Sequence, residues 1–295
     1  MTQTLLVTGA SGHFGRLVLD ELLKSDTIEP GAIVAATRDV SKLADYAARG
    51  VQVRAADFDD PGTLVAAFAG VDRLLLISTD AMGVPGRRLA QHKAAVAAAQ
   101  AAGVKHIVYT SLPEPEVSAV SFAPDHLGTE EAIAASGIAH TILRNSWYME
   151  NLFMGLPHAL ETGKWFTAAG GGKIAYAARA DEAAAAAHAL AGEGQESAIH
   201  TIAGPEAVSV DEVAAMVREI TGKPLEVVHV DEEQLAAGMK AGGVPDFMIP
   251  VIVSFDRAAR QGHLGITSDA LERLSGREPM HLKAFLAANR EALGG

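Results

Sequence analysis

The 295-residue sequence contains no cysteine, which excludes disulfide bonds, thiolate metal sites and a cysteine nucleophile. It also lacks an apolar run long enough to span a bilayer. The N-terminus has neither the basic segment nor the apolar core of a signal peptide. These absences lead us to expect a cytoplasmic protein with no membrane partner.

The sequence has fewer basic than acidic residues: 24 Lys and Arg against 36 Asp and Glu, which gives a formal net charge of −12. Nucleic acid is therefore a disfavoured partner, because phosphate binding needs a basic face. The sequence has 11 histidines, but the His-Glu-x-x-His zinc pattern is absent, and we expect no metal. With 49% hydrophobic and 20% charged residues, the chain can build an ample core.

A glycine-rich turn stands between the first predicted strand, Thr4–Thr8, and a predicted helix at 13–24. A diphosphate needs bare backbone N–H groups at a helix N-terminus, and glycines allow the tight turn and the close approach. The spacing is Gly-x-x-Gly-x-x-Gly, and the alternative is an ordinary turn. The strand before it and the helix after it favour nucleotide binding by Gly9, Ser11, Gly12, His13, Phe14 and Gly15.

Short apolar segments then alternate with helical stretches. The predicted strands are Thr4–Thr8, Ala32–Ala36, Val51–Ala55, Arg73–Ser78, His106–Ser111 and Thr141–Asn145. This alternation predicts an α/β fold with a Rossmann-like, doubly wound parallel sheet. Ligands of such sheets lie at the C-terminal strand ends. That rule selects Gly9, Arg38, Asp57, Ser78, Ser111 and Asn145.

After Asn145 the regular alternation ends. We predict a dinucleotide-binding domain at 1–150 and a smaller C-terminal α/β substrate lobe at 151–295, with part of 165–203 returning to the main sheet. Ser209 to Glu212 forms a capping box that predicts a helix start. Two further helices are expected near 245–260 and 280–293.

The end of the second strand indicates which dinucleotide binds. NAD-binding proteins usually place a carboxylate there, whereas this chain has Arg38, followed by Lys42. A guanidinium can hold the 2′-phosphate of NADP in a bidentate manner. The adjacent carboxylate of Asp39 leaves NAD as an alternative cofactor. The alternative for Arg38 and Lys42 is that they are solvated surface charges. Asp57 and Phe58 would lie beside adenine, with core packing as the alternative for Phe58.

The chain resembles the atypical branch of the short-chain dehydrogenase/reductase superfamily. None of its four tyrosines is followed four residues later by lysine, so the Tyr-x-x-x-Lys pair of that superfamily is absent. His126 and Glu130 occupy the corresponding helix at the same spacing. Alcohol dehydrogenase and epimerase chemistry are therefore in doubt, since they depend on that tyrosine.

Within that branch the sequence is similar to the bacterial NADPH:quinone oxidoreductases of the NmrA-like family and to triphenylmethane-dye reductases. The resemblance rests on 9–15, 37–39, 74–78, 103–111, 126–130, 143–148, 172–175 and 179–181. It implies NADPH as cofactor and the reduction of a quinone or another conjugated aromatic small molecule without flavin or metal. Because the family also contains non-catalytic regulators, the alternative is an NADP(H) sensor that acts through a protein partner.

Quinone reduction needs a stacked acceptor and a donor aimed at its oxygen. We expect Asn145 and Tyr148 to border the nicotinamide, with the Tyr148 hydroxyl or a water as that donor. His126 is a candidate proton source, and its alternative is a structural histidine that orients Glu130 or a backbone carbonyl. Thr110 and Ser111 could bind ribose or substrate. The sequence does not reveal an oligomeric state.

Overall fold

The computed structural model describes residues 3–293. The strands are β1 (Leu5–Val7), β2 (Ile33–Thr37), β3 (Gln52–Ala55), β4 (Arg73–Leu76), β5 (His106–Ser111), β6 (Ala139–Asn145), β7 (Lys164–Thr167), β8 (Lys173–Ile174), β9 (Ala198–Ile202), β10 (Val208–Ser209) and β11 (Glu226–His229). The α-helices are α1 (His13–Leu22), α2 (Ala44–Ala48), α3 (Pro61–Phe68), α4 (Arg87–Ala102), α5 (Ala123–Ala135), α6 (Leu156–Thr162), α7 (Arg179–Ala191), α8 (Val210–Thr221), α9 (Glu232–Ala241), α10 (Ile249–Arg260), α11 (Ala270–Ser275) and α12 (Leu282–Ala288). Short 3-10 helices cover Pro30–Ala32, Val40–Leu43, Met149–Met154 and Arg290–Leu293.

Seven strands form one parallel sheet in the order β3-β2-β1-β4-β5-β6-β9. The chain starts at the centre with β1, moves outward to β3, and then crosses back to β4 to build the other half. The strand order therefore reverses between β1 and β4, where open α/β sheets bind their ligands. The Rossmann-like, doubly wound fold predicted from the sequence is confirmed.

Helices cover both faces of this sheet because its strands are apolar on both sides. Leu5 and Val7 of β1 pack with α1, α7 and α11, whereas Leu6 between them packs with α3, α4 and α5. This split follows from the period of two along a strand. The two core layers hold the carboxyl ends of the strands in fixed positions.

Helix α7 brings the C-terminal half of the chain onto the main sheet. Its run Ala183–Ala187 is buried, and these small side chains let α7 lie close to α1 and to the sheet. Arg73, at the start of β4, donates to the carbonyl oxygens of Ala189 and Leu190 at the end of α7 at 3.1 and 2.8 Å. These bonds satisfy carbonyls that the helix end leaves open.

The remaining C-terminal elements form a separate apolar cluster around two small sheets. Strands β11 and β7 pair in parallel, and β10 and β8 pair antiparallel. The predicted capping box at Ser209 and Glu212 is confirmed and begins α8. Among residues 3–293, none of the helices is both long and apolar enough to cross a membrane.

Two of the predicted C-terminal helices differ from the observed ones. Helix α10 begins at Ile249 rather than near 245, because residues 246–248 form a turn and Pro250 suits the first helical turn. The segment expected as one helix from 280 to 293 is divided: α12 ends at Ala288, and a 3-10 turn follows.

Candidate functional site

The predicted glycine turn joins β1 to α1 and leaves backbone donors exposed. Gly9 has a φ of +58°, which favours glycine. A Cβ on Gly15 would lie 2.5 Å from the Gly9 carbonyl oxygen, so only glycine lets α1 pack this closely on the turn. Gly12 is the N-cap residue and has no side chain to occupy the first N–H groups of α1. The turn can therefore receive an anion.

A cavity of about 320 Å³ opens at this turn, between the carboxyl ends of β1 and β4. We call it the switch-point cleft. Most of the residues predicted to bind the cofactor line it: Gly9, Ser11, Gly12, His13, Phe14, Gly15, Arg38, Asp57, Phe58 and Ser78. Its further lining residues are Thr37, Ala56, Asp59, Ile77, Thr79, Asp80 and Gln91, which the sequence analysis did not single out.

The end of β2 distinguishes the two dinucleotides. Arg38 is exposed at the cleft. The Asp39 carboxylate accepts hydrogen bonds from the Ser41 backbone N–H at 3.1 Å and the Ser41 hydroxyl at 2.6 Å, and these bonds lower its pKa. Asp39 is thus already engaged, while Arg38 lines the cleft. This arrangement fits a 2′-phosphate better than a ribose hydroxyl.

Asp59, which the sequence analysis missed, fixes the far wall of the cleft. Its carboxylate accepts from Arg87 Nε at 3.1 Å, Arg87 Nη2 at 2.5 Å and Gln91 Nε2 at 2.9 Å. These donors lower the pKa of Asp59 to about 2. Because Arg87 and Gln91 belong to α4, the contacts tie the start of that helix to the end of β3. No local sequence signal indicates this long-range pairing.

Four residues predicted to bind the cofactor lie outside the cleft lining: Lys42, Thr110, Ser111 and Asn145. Lys42 is exposed in the 3-10 turn after β2. Thr110 accepts the Ser78 N–H at 2.9 Å. Ser111 donates to Glu130 Oε1 at 2.5 Å, and Glu130 pairs with Arg144 at 2.7 Å. The Ser111 hydroxyl is therefore engaged in a buried ion-pair network, since the parallel strands bring Arg144 beside it.

His126 is buried in α5. Its Nδ1 is 2.9 Å from the Tyr109 hydroxyl, and its Nε2 is 2.9 Å from Arg88 Nη2. Burial, followed by the charge of Arg88, holds the pKa of His126 well below its usual value. Both ring nitrogens therefore contact Arg88 of α4 and Tyr109 of β5, and not Glu130 or a backbone carbonyl, the partners considered for a structural role.

The residues after β6 form a second, more buried region, which we call the Tyr148 end. Phe14 of the cleft lies 6.1 Å from the Tyr148 ring, and the Arg179 guanidinium lies 4.7 Å above that ring. Burial, and then the charge of Glu182, raises the pKa of Tyr148. The Asn145 side chain opposes this shift, although neither of its amide atoms has a hydrogen-bond partner within residues 3–293.

An aromatic wall adjoins the Tyr148 end. The Trp147 ring lies 3.7 Å from the Phe255 ring of α10, and Phe122 lies 5.8 Å from Phe255. This packing joins the segment after β6 to the C-terminal elements. Across residues 3–293, no group of three or more His, Asp or Glu side chains is placed to hold a metal ion.

The sequence profile of the NmrA-like family matches residues 1–272. The chain belongs to the NmrA-like family. Among relatives of this NmrA-like protein, Quinone oxidoreductase 2 of Escherichia coli (strain K12) is 40% identical over 272 residues, or 92% of this chain and 93% of the relative.

Solved structures agree with this assignment. The NADPH-dependent quinone oxidoreductase of Escherichia coli, crystallised with NADPH, has a TM-score of 0.91 at 39% identity, covering 97% of this chain and 99% of its own. Triphenylmethane reductase from Citrobacter sp., complexed with NADP(H), has a TM-score of 0.89 at 35% identity, with coverages of 97% and 99%. The family resemblance predicted from the sequence is confirmed.

Proposed function

We propose that this NmrA-like protein is an NADPH-dependent reductase of quinones and similar conjugated aromatic small molecules that uses neither flavin nor metal. The observation that carries the proposal is the pairing of an open glycine turn with Arg38 at one cleft, while Ser41 engages Asp39. The relatives named above, an NADPH-dependent quinone reductase and a triphenylmethane reductase, support the acceptor class.

The chain's residues fit NADPH. In our assignment Gly9 to Gly15 hold the diphosphate, Arg38 holds the 2′-phosphate, and Asp57 and Phe58 flank adenine. We also assign to cofactor binding four residues at the edges of this site: Lys42, Ser78, Thr110 and Ser111. The dinucleotide domain then comprises residues 1–150, and residues 151–295 supply the substrate lobe, with part of 165–203 in the main sheet. We place the reaction in the cytoplasm.

When bound, NADPH supplies a hydride. The protein's task is to stack a flat acceptor at reacting distance and to exclude water. Asn145 and Tyr148 border the reacting ring in this proposal, and Trp147 offers an aromatic wall. Because His126 is buried against Arg88 and Tyr109, we assign it a structural role. A partner-dependent sensor has no support among the named relatives.

Purified protein, shown by absorbance to be free of flavin, should oxidise NADPH only when an acceptor is added. We expect about 1 turnover per second or more with benzoquinone, as for ordinary enzymes, and a lower KM for NADPH than for NADH. Tight NADPH binding with no turnover on benzoquinone or a triphenylmethane dye would contradict the proposal.

A further inference from the structure

One buried carboxyl group near the Tyr148 end, that of Glu182, makes no hydrogen bond that would explain its burial within the described residues. Glu182, in the first turn of α7, is 0% exposed, and neither carboxylate oxygen has a hydrogen-bond partner within residues 3–293. Its neighbour Asp181, by contrast, accepts the Met280 N–H at 2.8 Å. A buried, unpaired carboxylate is costly, so such a group stays protonated. Burial, and then the charge of Glu150, raises the pKa of Glu182 well above its usual value.

The backbone fixes α7 beside Tyr148. The Met149 N–H donates to the Ala177 carbonyl at 2.9 Å, and the Ala177 N–H donates to the Trp147 carbonyl at 3.1 Å. These two bonds form a parallel bridge between Tyr148 and Ala177, just before α7 begins. The entry of α7 therefore cannot slide relative to the segment that carries Tyr148.

The side chains of α7 extend this contact. The Arg179 guanidinium lies 4.7 Å above the Tyr148 ring. Glu182 follows Arg179 by three residues, which places both on one face of the helix, toward Tyr148. The charged groups that act on Glu182 are Glu150 of the preceding 3-10 turn and Arg179 and Asp181 of α7. The Tyr148 ring also lies 6.1 Å from the ring of the cleft residue Phe14.

We propose that Glu182 is a proton reservoir that acts through the Tyr148 hydroxyl during quinone reduction. This inference rests on the proposed function. The quinone gains two electrons with the hydride, and its oxygen then needs a proton. The Tyr148 O–H bond breaks as the acceptor O–H bond forms. Because Glu182 makes no direct hydrogen bond to Tyr148, an intervening water passes the proton: the Glu182 O–H bond breaks, and the tyrosine O–H bond is restored. The Glu182 carboxylate then regains a proton from bulk water.

Two acceptors distinguish this role from a merely structural one. Benzoquinone needs both a hydride and a proton, whereas the cation of malachite green needs only a hydride to become its neutral leuco form. Glu182→Gln keeps the shape of a neutral carboxyl group but carries no acidic proton. We expect its ratio of benzoquinone to malachite green kcat to fall about tenfold or more, with an unchanged NADPH dissociation constant.

Tyr148→Phe should lower the same ratio, and the double variant should lower it no further than the single ones, because both residues serve one proton path. A drop in kcat for both acceptors alike, or no change in the ratio, would overturn the role of Glu182. A wild-type protein that reduces neither acceptor would instead contradict the proposed function.

A second readout does not depend on activity. A carboxyl group whose pKa is higher in the folded state favours folding at low pH, and that stability is lost as pH rises from about 4.5 through the folded value. As pH rises from 5 to 8, the stability of the wild type on urea unfolding should therefore fall relative to that of Glu182→Gln, since the buried histidines contribute equally to both proteins. Identical pH dependence in the two proteins would mean that Glu182 is not held protonated.

Discussion

The glycine turn of the switch-point cleft, which we call the glycine-turn end, and the neighbouring Tyr148 end differ in how exposed and how well hydrogen-bonded their polar groups are. The first offers the start of α1, where no side chain caps the helix, and the exposed residue Arg38. The second holds polar side chains that are buried and unpaired among the described residues, namely Asn145, Ser146 and Glu182. A charged diphosphate requires accessible donors that are already in place, whereas proton transfer to an acceptor requires groups shielded from water. In the function proposed above, this difference separates the region that binds the cofactor from the region that reacts.

The largest effect should come from breaking the glycine-turn end. Gly15→Ala places a Cβ 2.5 Å from the Gly9 carbonyl oxygen, so α1 must move away from the turn. We expect about 1–3 kcal/mol less stability on urea unfolding and a loss of NADPH affinity of about 100-fold. Gly31→Ala is the matched control, since a Cβ there meets no atom within 4 Å. Equal NADPH affinity in both variants would refute the packing argument.

A smaller effect at the same end should separate Arg38 from Lys42. Losing a charge-assisted bidentate contact costs about 1.5–3 kcal/mol, so Arg38→Ala should raise the KM for NADPH about 10-fold to 100-fold. The KM for NADH should hardly change, because NADH lacks the 2′-phosphate. Lys42→Ala, outside the cleft lining, should raise the KM for NADPH much less than Arg38→Ala does and leave the KM for NADH unchanged. Steady-state kinetics with both cofactors provide the measurement. An equal rise in KM for NADPH and for NADH in Arg38→Ala would exclude a contact between Arg38 and the 2′-phosphate.

The smallest effect on catalysis should come from substituting His126. This variant tests whether the reacting region at the Tyr148 end extends as far as His126. Buried histidines with lowered pKa stay neutral in the fold but take up protons when unfolded, so their stabilisation is present above about pH 6.5 and is lost as pH falls. His126 shares this behaviour with His92, whose pKa burial lowers to about 3. His126→Gln should flatten the fall in stability between pH 6.5 and 5 by up to about 1.4 kcal/mol per pH unit.

The same variant should leave the pH profile of kcat unchanged, because His126 contacts Arg88 and Tyr109 rather than the cleft. If His126→Gln lost an acidic limb that the wild-type kcat profile shows, His126 would take part in the reaction. Circular dichroism during urea titration and steady-state kinetics provide the two measurements.

The sequence predicted the glycine-turn end far better than the Tyr148 end, for a physical reason. Gly9, Gly12 and Gly15 act within one local turn, and Arg38 is located by counting to the end of a strand. Asp59 is different, because its role depends on donors from α4 that lie 28 and 32 residues further along the chain.

The partners of buried side chains could not be predicted from the sequence for the same reason: they lie far apart along the chain. His126 finds Arg88 and Tyr109, 38 and 17 residues away in sequence, because the sheet and two helices converge there. The sequence does not single out Glu182, and the bridge between Tyr148 and Ala177 places the start of its helix beside Tyr148. Periodicity identifies helices and strands, but it does not report which buried polar groups meet.

Direct transfer of a hydride from NADPH to the acceptor is the central claim, and isotope labelling tests it most directly. NADPH carrying deuterium at both C4 positions should be mixed with malachite green and the flavin-free protein, and the leuco product analysed by mass spectrometry. The central carbon of that product does not exchange with water. The account predicts one deuterium per molecule of leuco dye. A product whose new hydrogen came from water would contradict it.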